Sequence, residues 1–341
     1  MAQISMKQLA DMAGLDASTV SRALRGDTKR VAAATIERVQ RLAKELGYVA
    51  DPVAATLRSG RSRMLGVLVY SLTDIVMGHL VTAIDEASQE LGYLSIVVAT
   101  QGSSEARLRV IDQLLGRRVD GLILCESQVG DDIPPQLRAG DVPYVFAMRA
   151  GAGAVSVTAD DEAGGALVAD HFLEEGHDTI AVVPGPRHIR TAIDRISGFT
   201  SVLAGQRNVK LLPPGVHAGF GVDNGYQSTV KLLRRRGRPS AIFCVNDHAA
   251  IGAGRAIVEA GLRIGSDVAL VGYNDIPQAA YLETPLSSVR TDVRLMGRTA
   301  AQQLIALVDG GEASSSRLTP TLIKRSSSDL RAAAARPARQ A

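Results

Sequence analysis

Between Met64 and Val271 short apolar runs alternate with stretches of helical periodicity, and few folds accept that alternation. The apolar runs of the first half are Leu65–Val69, Ser95–Ala99, Gly121–Leu124, Tyr144–Ala147 and Val155–Thr158, with helices expected near His79–Leu91 and Ser104–Leu115. A second series follows: helices near Ala163–Glu175, Ile193–Leu203, Tyr226–Arg235 and Ala249–Ala260, and strands at Ile180–Val183, Ala241–Val245 and Val268–Val271. Continuous apolar strands are buried on both faces, and a helix between successive strands makes them parallel. The expected class is therefore α/β, with two similar doubly wound subdomains. Ligands of such sheets sit beyond the carboxyl ends of the strands. Two of them side by side put the site in an interdomain cleft.

The first fifty residues are of a different kind. Ser5-Met6-Lys7-Gln8 has the form of a capping box, and Leu9, Met12 and Ala13 follow at helical spacing. Gly14 stops that helix, and Asp16 has the chemistry of a second N-cap. Val20, Ala23 and Leu24 form a narrow apolar face, with Ala17, Ser18, Ser21, Arg22 and Arg25 on the other sides. Two short helices joined by a tight glycine turn make a helix-turn-helix, whose second helix enters the DNA major groove. The alternative is an ordinary helical hairpin. A basic loop, Arg25–Arg30, precedes a third helix expected over Ala33–Leu46, with Ile36, Val39, Leu42, Ala43 and Leu46 inward and Gly47 as its stop. Charge favours the DNA-binding reading. Residues 1–63 carry 11 Lys and Arg against 6 Asp and Glu, whereas the remainder carries 27 against 29.

Residues 51–63 can form one or two helical turns between the Asp51-Pro52 start and Gly60. A helix so short needs a partner to pack against. The alternative is a basic linker. The end, 329–341, is rich in Ala and Arg and is expected to be a disordered tail.

Several function classes find no support. Cys125 and Cys244 lie in apolar runs, as buried free thiols do. The sequence contains no phosphate loop and no His-Glu-x-x-His pair, and Gly151-Ala152-Gly153 lacks the strand-turn-helix setting of a dinucleotide site. His171 and His177 are badly spaced for a metal, and Asp160-Asp161-Glu162 reads as the acidic start of a helix. We expect no cofactor, no metal and no catalytic constellation. With no long apolar run and no signal-peptide core, a cytoplasmic protein away from the membrane is expected.

In order and spacing, several segments resemble the lac repressor (LacI/GalR) family of bacterial transcriptional regulators. They are Leu9-Ala10-Asp11-Met12-Ala13-Gly14, Ser18-Thr19-Val20-Ser21-Arg22-Ala23-Leu24, Glu45-Leu46-Gly47-Tyr48, Leu57-Arg58-Ser59-Gly60-Arg61-Ser62, Leu65-Gly66-Val67-Leu68-Val69, Gly176-His177, Arg195-Ile196-Ser197-Gly198-Phe199, Asn246-Asp247 and Val271-Gly272-Tyr273-Asn274-Asp275. The resemblance spans residues 4–325. It implies a helix-turn-helix DNA-binding domain over 1–50, a hinge helix over 51–63, and an effector-binding and dimerisation domain of the periplasmic-binding-protein-like type over 64–328.

The resemblance also implies a homodimer on pseudo-palindromic double-stranded operator DNA, most simply a repressor, controlled by a small polar effector such as a sugar. A solute-binding receptor of the same body fold is the alternative. Ala17, Ser18 and Arg22 match the family's base-reading positions, and a guanidinium can bracket guanine O6 and N7. Ser5, Thr19, Ser21, Arg25, Lys29 and Arg30 are candidates for phosphate contact. Leu57 matches a wedge that kinks DNA from the minor groove, and Ala54 lets two hinge helices approach. In the cleft, Arg195, Asn246 and Asn274 match polar ligand positions, and Tyr70, Ser71, Asp74 and His79 join them as candidates.

The chain departs from its relatives at four places, one of them Asn274, where sugar-binding members more often have Asp. Ala50 and Asp51 stand where the hinge usually begins Pro-Asn, and Ala32 stands where a serine usually caps the third helix. Asp74-Ile75-Val76-Met77 replaces an Asn-Pro-Phe-Phe segment that supplies a stacking aromatic ring.

Overall fold

A computed structural model describes residues 4–48, 60–130, 137, 142–151, 153–215 and 219–329. Ala54 and Leu57 of the hinge, and the tail beyond residue 329, lie outside them. The chain divides into two compact units, Met1–Ser62 and Arg63–Ala341.

In the first unit, α1 (Met6–Ala13) begins with the expected capping box. Ser5 Oγ accepts from the Gln8 amide, and Gln8 Oε1 accepts from the Ser5 amide. Gly14, at φ 64°, ends it in the left-handed region that an L side chain resists. In α2 (Ala17–Leu24), Asp16 Oδ1 accepts from the amides of Ser18 and Thr19, both at 2.9 Å. The third helix, α3 (Ala33–Glu45), starts at Ala32 with no side-chain cap. Leu9, Ala10, Ala13, Val20, Ala23, Val31, Ile36, Val39 and Ala43 form the core, with Leu24, Leu42 and Leu46 packed at its margin. Met12 faces solvent, contrary to the expected stripe, and Ala10 takes the inward position. Arg38 ties α3 to α1 through the Ala13 carbonyl at 3.0 Å.

The second unit holds two six-stranded sheets. The first contains β1 (Met64–Val69), β2 (Leu94–Ala99), β3 (Gly121–Leu124), β4 (Tyr144–Ala147), β5 (Ser156–Ala159) and β11 (Ser316–Leu318), in the order β11-β5-β4-β3-β1-β2 and parallel throughout. The second contains β6 (Thr179–Val183), β7 (Lys210–Leu211), β8 (Ala241–Cys244), β9 (Ala269–Asn274), β10 (Ser287–Arg290) and β12 (Thr321–Ile323), in the order β12-β10-β9-β8-β6-β7. Its strands are parallel except β12, which runs against β10. Omitting β11 and β12, the two sheets have the same doubly wound order. In each, the direction of winding reverses between the first and third strands, where a crevice opens.

Helices α4 (Ile75–Glu90), α5 (Ser104–Gly116), α6 (Asp161–Glu174), α7 (Arg190–Leu203), α8 (Val222–Leu233), α9 (Asp247–Glu259) and α10 (Val293–Val308) cover the sheets. The strands are apolar without alternation because both faces are covered. Leu65, Val67 and Val69 of β1 pack with α4 and α10, while Leu68 turns to the other face with Ile111 and Leu114 of α5. In the second sheet, Ile180, Val182, Phe243 and Val271 pack with Val168, Phe172 and Phe199.

Two helix pairs approach backbone to backbone. A Cβ at Gly165 of α6 would lie 1.9 Å from the Arg195 carbonyl oxygen, and one at Gly198 of α7 would lie 1.9 Å from that of Glu162. The α8–α9 pair repeats the device: Gly225 meets the Ala249 carbonyl and Gly252 that of Val222, each at 1.9 Å.

The structure extends the sequence reading at its end. The last part of the chain supplies β10, α10, β11 and β12, none of which the apolar alternation announced. The chain leaves the second sheet at β10, covers the first with α10, adds β11 to its edge and returns with β12. Several helices also begin earlier than their periodicity indicated, α4 and α8 by four residues each. Asp74 caps α4 by accepting from the Val76 and Met77 amides, and α8 opens on Val222 after glycine.

Candidate functional site

Asp16 shapes the exposed surface of α2. Besides its two amides it accepts from the Thr19 hydroxyl at 2.6 Å, and these bonds hold its carboxyl well below the usual range. The cap orients the first turn, where Ala17 and Ser18 are exposed, while Arg22 one turn on is half-buried. Arg25, Lys29 and Arg30 are exposed; Ser21 and Thr19 are half-buried, and Ser5 is exposed within its capping box. The Thr19 hydroxyl proton is already committed to Asp16.

In the second unit a cavity of about 380 Å³ lies where the carboxyl ends of the two sheets converge. Tyr70, Ser71, Thr73 and Asp74 reach it from the turn after β1, and Arg149 from the turn after β4. Pro186, His188 and Ile189 come from the loop after β6, Gly219, Phe220 and Gly221 from the loop that leads into α8, and His248 from the first turn of α9.

Local chemistry holds each of these groups. Ser71 and Thr73 hydroxyls are 2.9 Å apart, and the Thr73 amide donates to Ser71 Oγ. Tyr70 lies over Gly102, where a Cβ would come within 2.6 Å of its ring. Asn224 donates to the Gly219 carbonyl at 2.6 Å, which pins the glycine loop. Met148, at φ 69°, turns the chain as β4 ends and so aims Arg149.

Of the candidate cleft residues, Tyr70, Ser71 and Asp74 line the cavity. His79 does not: it lies beyond the first turn of α4 and is exposed outside the lining. Arg195, Asn246 and Asn274 stand behind the lining. Arg195 is buried, donates from Nε to Asp161 at 2.8 Å and from Nη1 to the Val245 carbonyl at 2.8 Å, and stacks 3.7 Å from the Tyr273 ring centre. Burial opposes its charge, yet Asp161, Tyr273 and Asp247 together outweigh that and raise the guanidinium pKa. Asn246 caps α9 through the Ala249 amide and donates at 2.9 Å to the carbonyl of Phe220. Asn274 closes β9 at φ 100°. Asp275 braces its loop, accepting from Arg290 and Arg325, each at 2.7 Å.

Sequence reasoning passed over Arg149, His188, Phe220 and His248. The signal was present: each follows a strand's carboxyl end or opens a helix, where this fold places ligands. Arg149 is 8% exposed, and burial pushes its guanidinium below its ordinary value while Glu126 pulls the other way. Deeper still, Asp247 accepts from Ser288 Oγ at 2.6 Å and the Ile276 amide at 2.8 Å, and burial pushes its carboxyl up to about 7. Burial likewise pushes the Cys125 thiol up to about 12, so it is no nucleophile. Among the described residues no helix is long and apolar enough to cross a membrane.

A capped helix-turn-helix joined in one chain to a two-sheet body with a cavity at its strand ends defines a class, the ligand-binding DNA regulators with a periplasmic-binding-protein-like body. Comparisons agree. Residues 5–51 match the family model "Bacterial regulatory proteins, lacI family", and residues 169–328 match "Periplasmic binding protein-like domain". The lactose operon repressor of Escherichia coli (strain K12) is 31% identical over 95% of this chain and 91% of its own length. The HTH-type transcriptional repressor PurR of Haemophilus influenzae (strain PittEE) is 30% identical over 95% and 98%. Among solved structures, the lac repressor dimer bound to operator and the anti-inducer ONPF aligns over 96% of this chain and 99% of its own, with TM-score 0.82 and 28% identity. The transcriptional regulator CelR–cellobiose complex aligns over 95% and 100%, with TM-score 0.70 and 28% identity. The chain belongs to the lacI family of bacterial regulatory proteins.

Proposed function

We propose that this protein represses transcription in the cytoplasm by binding a pseudo-palindromic operator as a homodimer, and that a small polar effector in the cleft sets its affinity for DNA. The observation that carries the reading is the joining of the α2 surface and the strand-end cavity in one chain. Arg22 reads a guanine, while Ala17 offers only apolar contact and Ser18 a degenerate hydrogen bond. Ser21, Arg25, Lys29 and Arg30 hold phosphates; Ser5 and Thr19, whose donors are spent within their caps, join them only by exchanging those bonds. Ala54 and Leu57 act from the hinge in the minor groove. With small residues at two of three reading positions, much of the discrimination falls to DNA shape and bendability.

Tyr70, Ser71 and Asp74 contact the effector directly, with Arg149, His188 and His248 beside them. Arg195 and Asn246 act chiefly by holding the loops that shape the cavity. Asn274 and His79 contribute at its rim if an occupied cleft closes further. The relatives are transcriptional repressors, and no enzymatic step is proposed.

The test is selection of the full-length protein on random double-stranded DNA at near-physiological salt. One palindromic family should be enriched, with affinity about a thousandfold or more above that for random duplex. Absence of any salt-robust preference would sink the reading.

A further inference from the structure

The cleft is built for charge. Arg149 lines the cavity, is 8% exposed, and its Nε has no hydrogen-bond partner among the described residues. A guanidinium keeps its proton even when buried, so the open Nε–H is a charged donor, best matched by an anionic acceptor. The carboxylates acting on it electrostatically are Glu126 and Asp74. Their hydrogen bonds go elsewhere, Asp74 Oδ1 accepting from two amides of α4 and Glu126 from the Thr100 hydroxyl, so they answer the charge at a distance and leave the Nε–H open. Among the described residues Asp74 is the sole carboxylate in the lining, and Glu126 is not part of it.

Two helix starts add to the field. Ile189 and Gly221, the N-cap residues of α7 and α8, line the cavity, and neither provides a side-chain cap. The positive dipole end of each helix therefore borders the same space. His188 and His248 bring ring nitrogens that can donate.

We propose that the effector is an anion, a small polyhydroxylated or similarly polar molecule whose carboxylate or phosphate is taken up by Arg149, with its uncharged part against Tyr70 and Phe220. The proposal rests on the reading of this cavity as the effector site. A fork of guanidinium donors matches either group bidentately. A neutral sugar would offer that fork only uncharged acceptors.

The test uses the full-length protein, thermal melts and titration calorimetry at fixed ionic strength. D-Gluconate and D-glucuronate probe the carboxylate, D-glucose 6-phosphate and inorganic phosphate the phosphate, and D-glucose, D-ribose and cellobiose the neutral class. At least one anion should raise the Tm in a saturable manner and bind about 100-fold more tightly than its neutral counterpart. Arg149→Gln should lose about 100-fold for that anion, and Arg149→Lys should recover part of the loss. Melting of both variants without ligand checks that they are folded. Anion stabilisation that survives Arg149→Gln belongs to the basic DNA-binding unit and overturns the proposal. Saturable binding confined to neutral sugars also overturns it but leaves the cleft as the effector site. If neither class shifts the Tm or operator affinity, the reading of the cavity falls and the proposal with it.

Discussion

Asp247 carries the molecule's most consequential buried carboxyl. Its bonds to Ser288 and the Ile276 amide favour the charged form, but enclosure wins and the group titrates near pH 7. In the unfolded chain it titrates near 3.8. Between these values the native state holds a proton that the unfolded chain has released. This group's contribution to stability is therefore complete below the unfolded value and declines as pH rises to about 7. His171 and His177 act in the opposite direction, because burial lowers both and their contribution is lost as pH falls below 6.5. The difference between wild type and Asp247→Asn isolates the carboxyl. Urea unfolding from pH 4 to 8 should give the variant a growing relative advantage, which reaches on the order of 3 kcal/mol at the upper end. A constant difference across that range would mean that Asp247 is charged throughout.

Helices here are placed by what they lack. Gly165 and Gly198 let α6 and α7 touch through their backbones, and Gly225 and Gly252 do so for α8 and α9. The neighbours are carbonyl oxygens, which cannot rotate aside as a side chain would. The first pair also sets Arg195 of α7 against Asp161 of α6. Gly198→Ala should therefore destabilise the second unit by about 1–3 kcal/mol despite alanine's better helix propensity. The check is the Tm of that transition, with Gly205→Ala as control, since a Cβ there meets nothing within 4 Å. Equal melting of the two variants would show that the helices can separate without cost.

At the scale of the whole molecule, charge divides the labour. The first 63 residues hold a net excess of base while the rest is close to neutral. Operator affinity should therefore fall steeply with salt. Arg25→Gln removes one exposed cation from each head. In a dimer it should weaken operator and random DNA alike and lessen the slope of log K against log salt by about 2. Loss of operator affinity alone, with the slope unchanged, would make Arg25 a base reader rather than a phosphate contact.

Local chemistry made much of this protein legible. The caps at Ser5 and Asp16, the stop at Gly14 and the apolar strand runs depend on neighbours in sequence, and all can be read from it. So could the location of the cleft, since parallel winding puts ligands at strand ends. The contents of the cleft were another matter. Arg149 has no motif around it; it matters because β4 ends in the same sheet as β1 and the loop after β6 faces it from the other sheet. Arg195 and Asn246 have the residue types of ligand contacts, but in the fold their donors are spent on Asp161, Val245 and Phe220. The late strands β10, β11 and β12 were hidden for the same reason. They are short and complete sheets begun far earlier in the chain, so pairing rather than periodicity defines them. Sequence by itself determined the class of fold, the DNA-reading helix and the family. Tertiary structure decided which charges are free to meet a ligand, because that depends on which partners the fold has already given them.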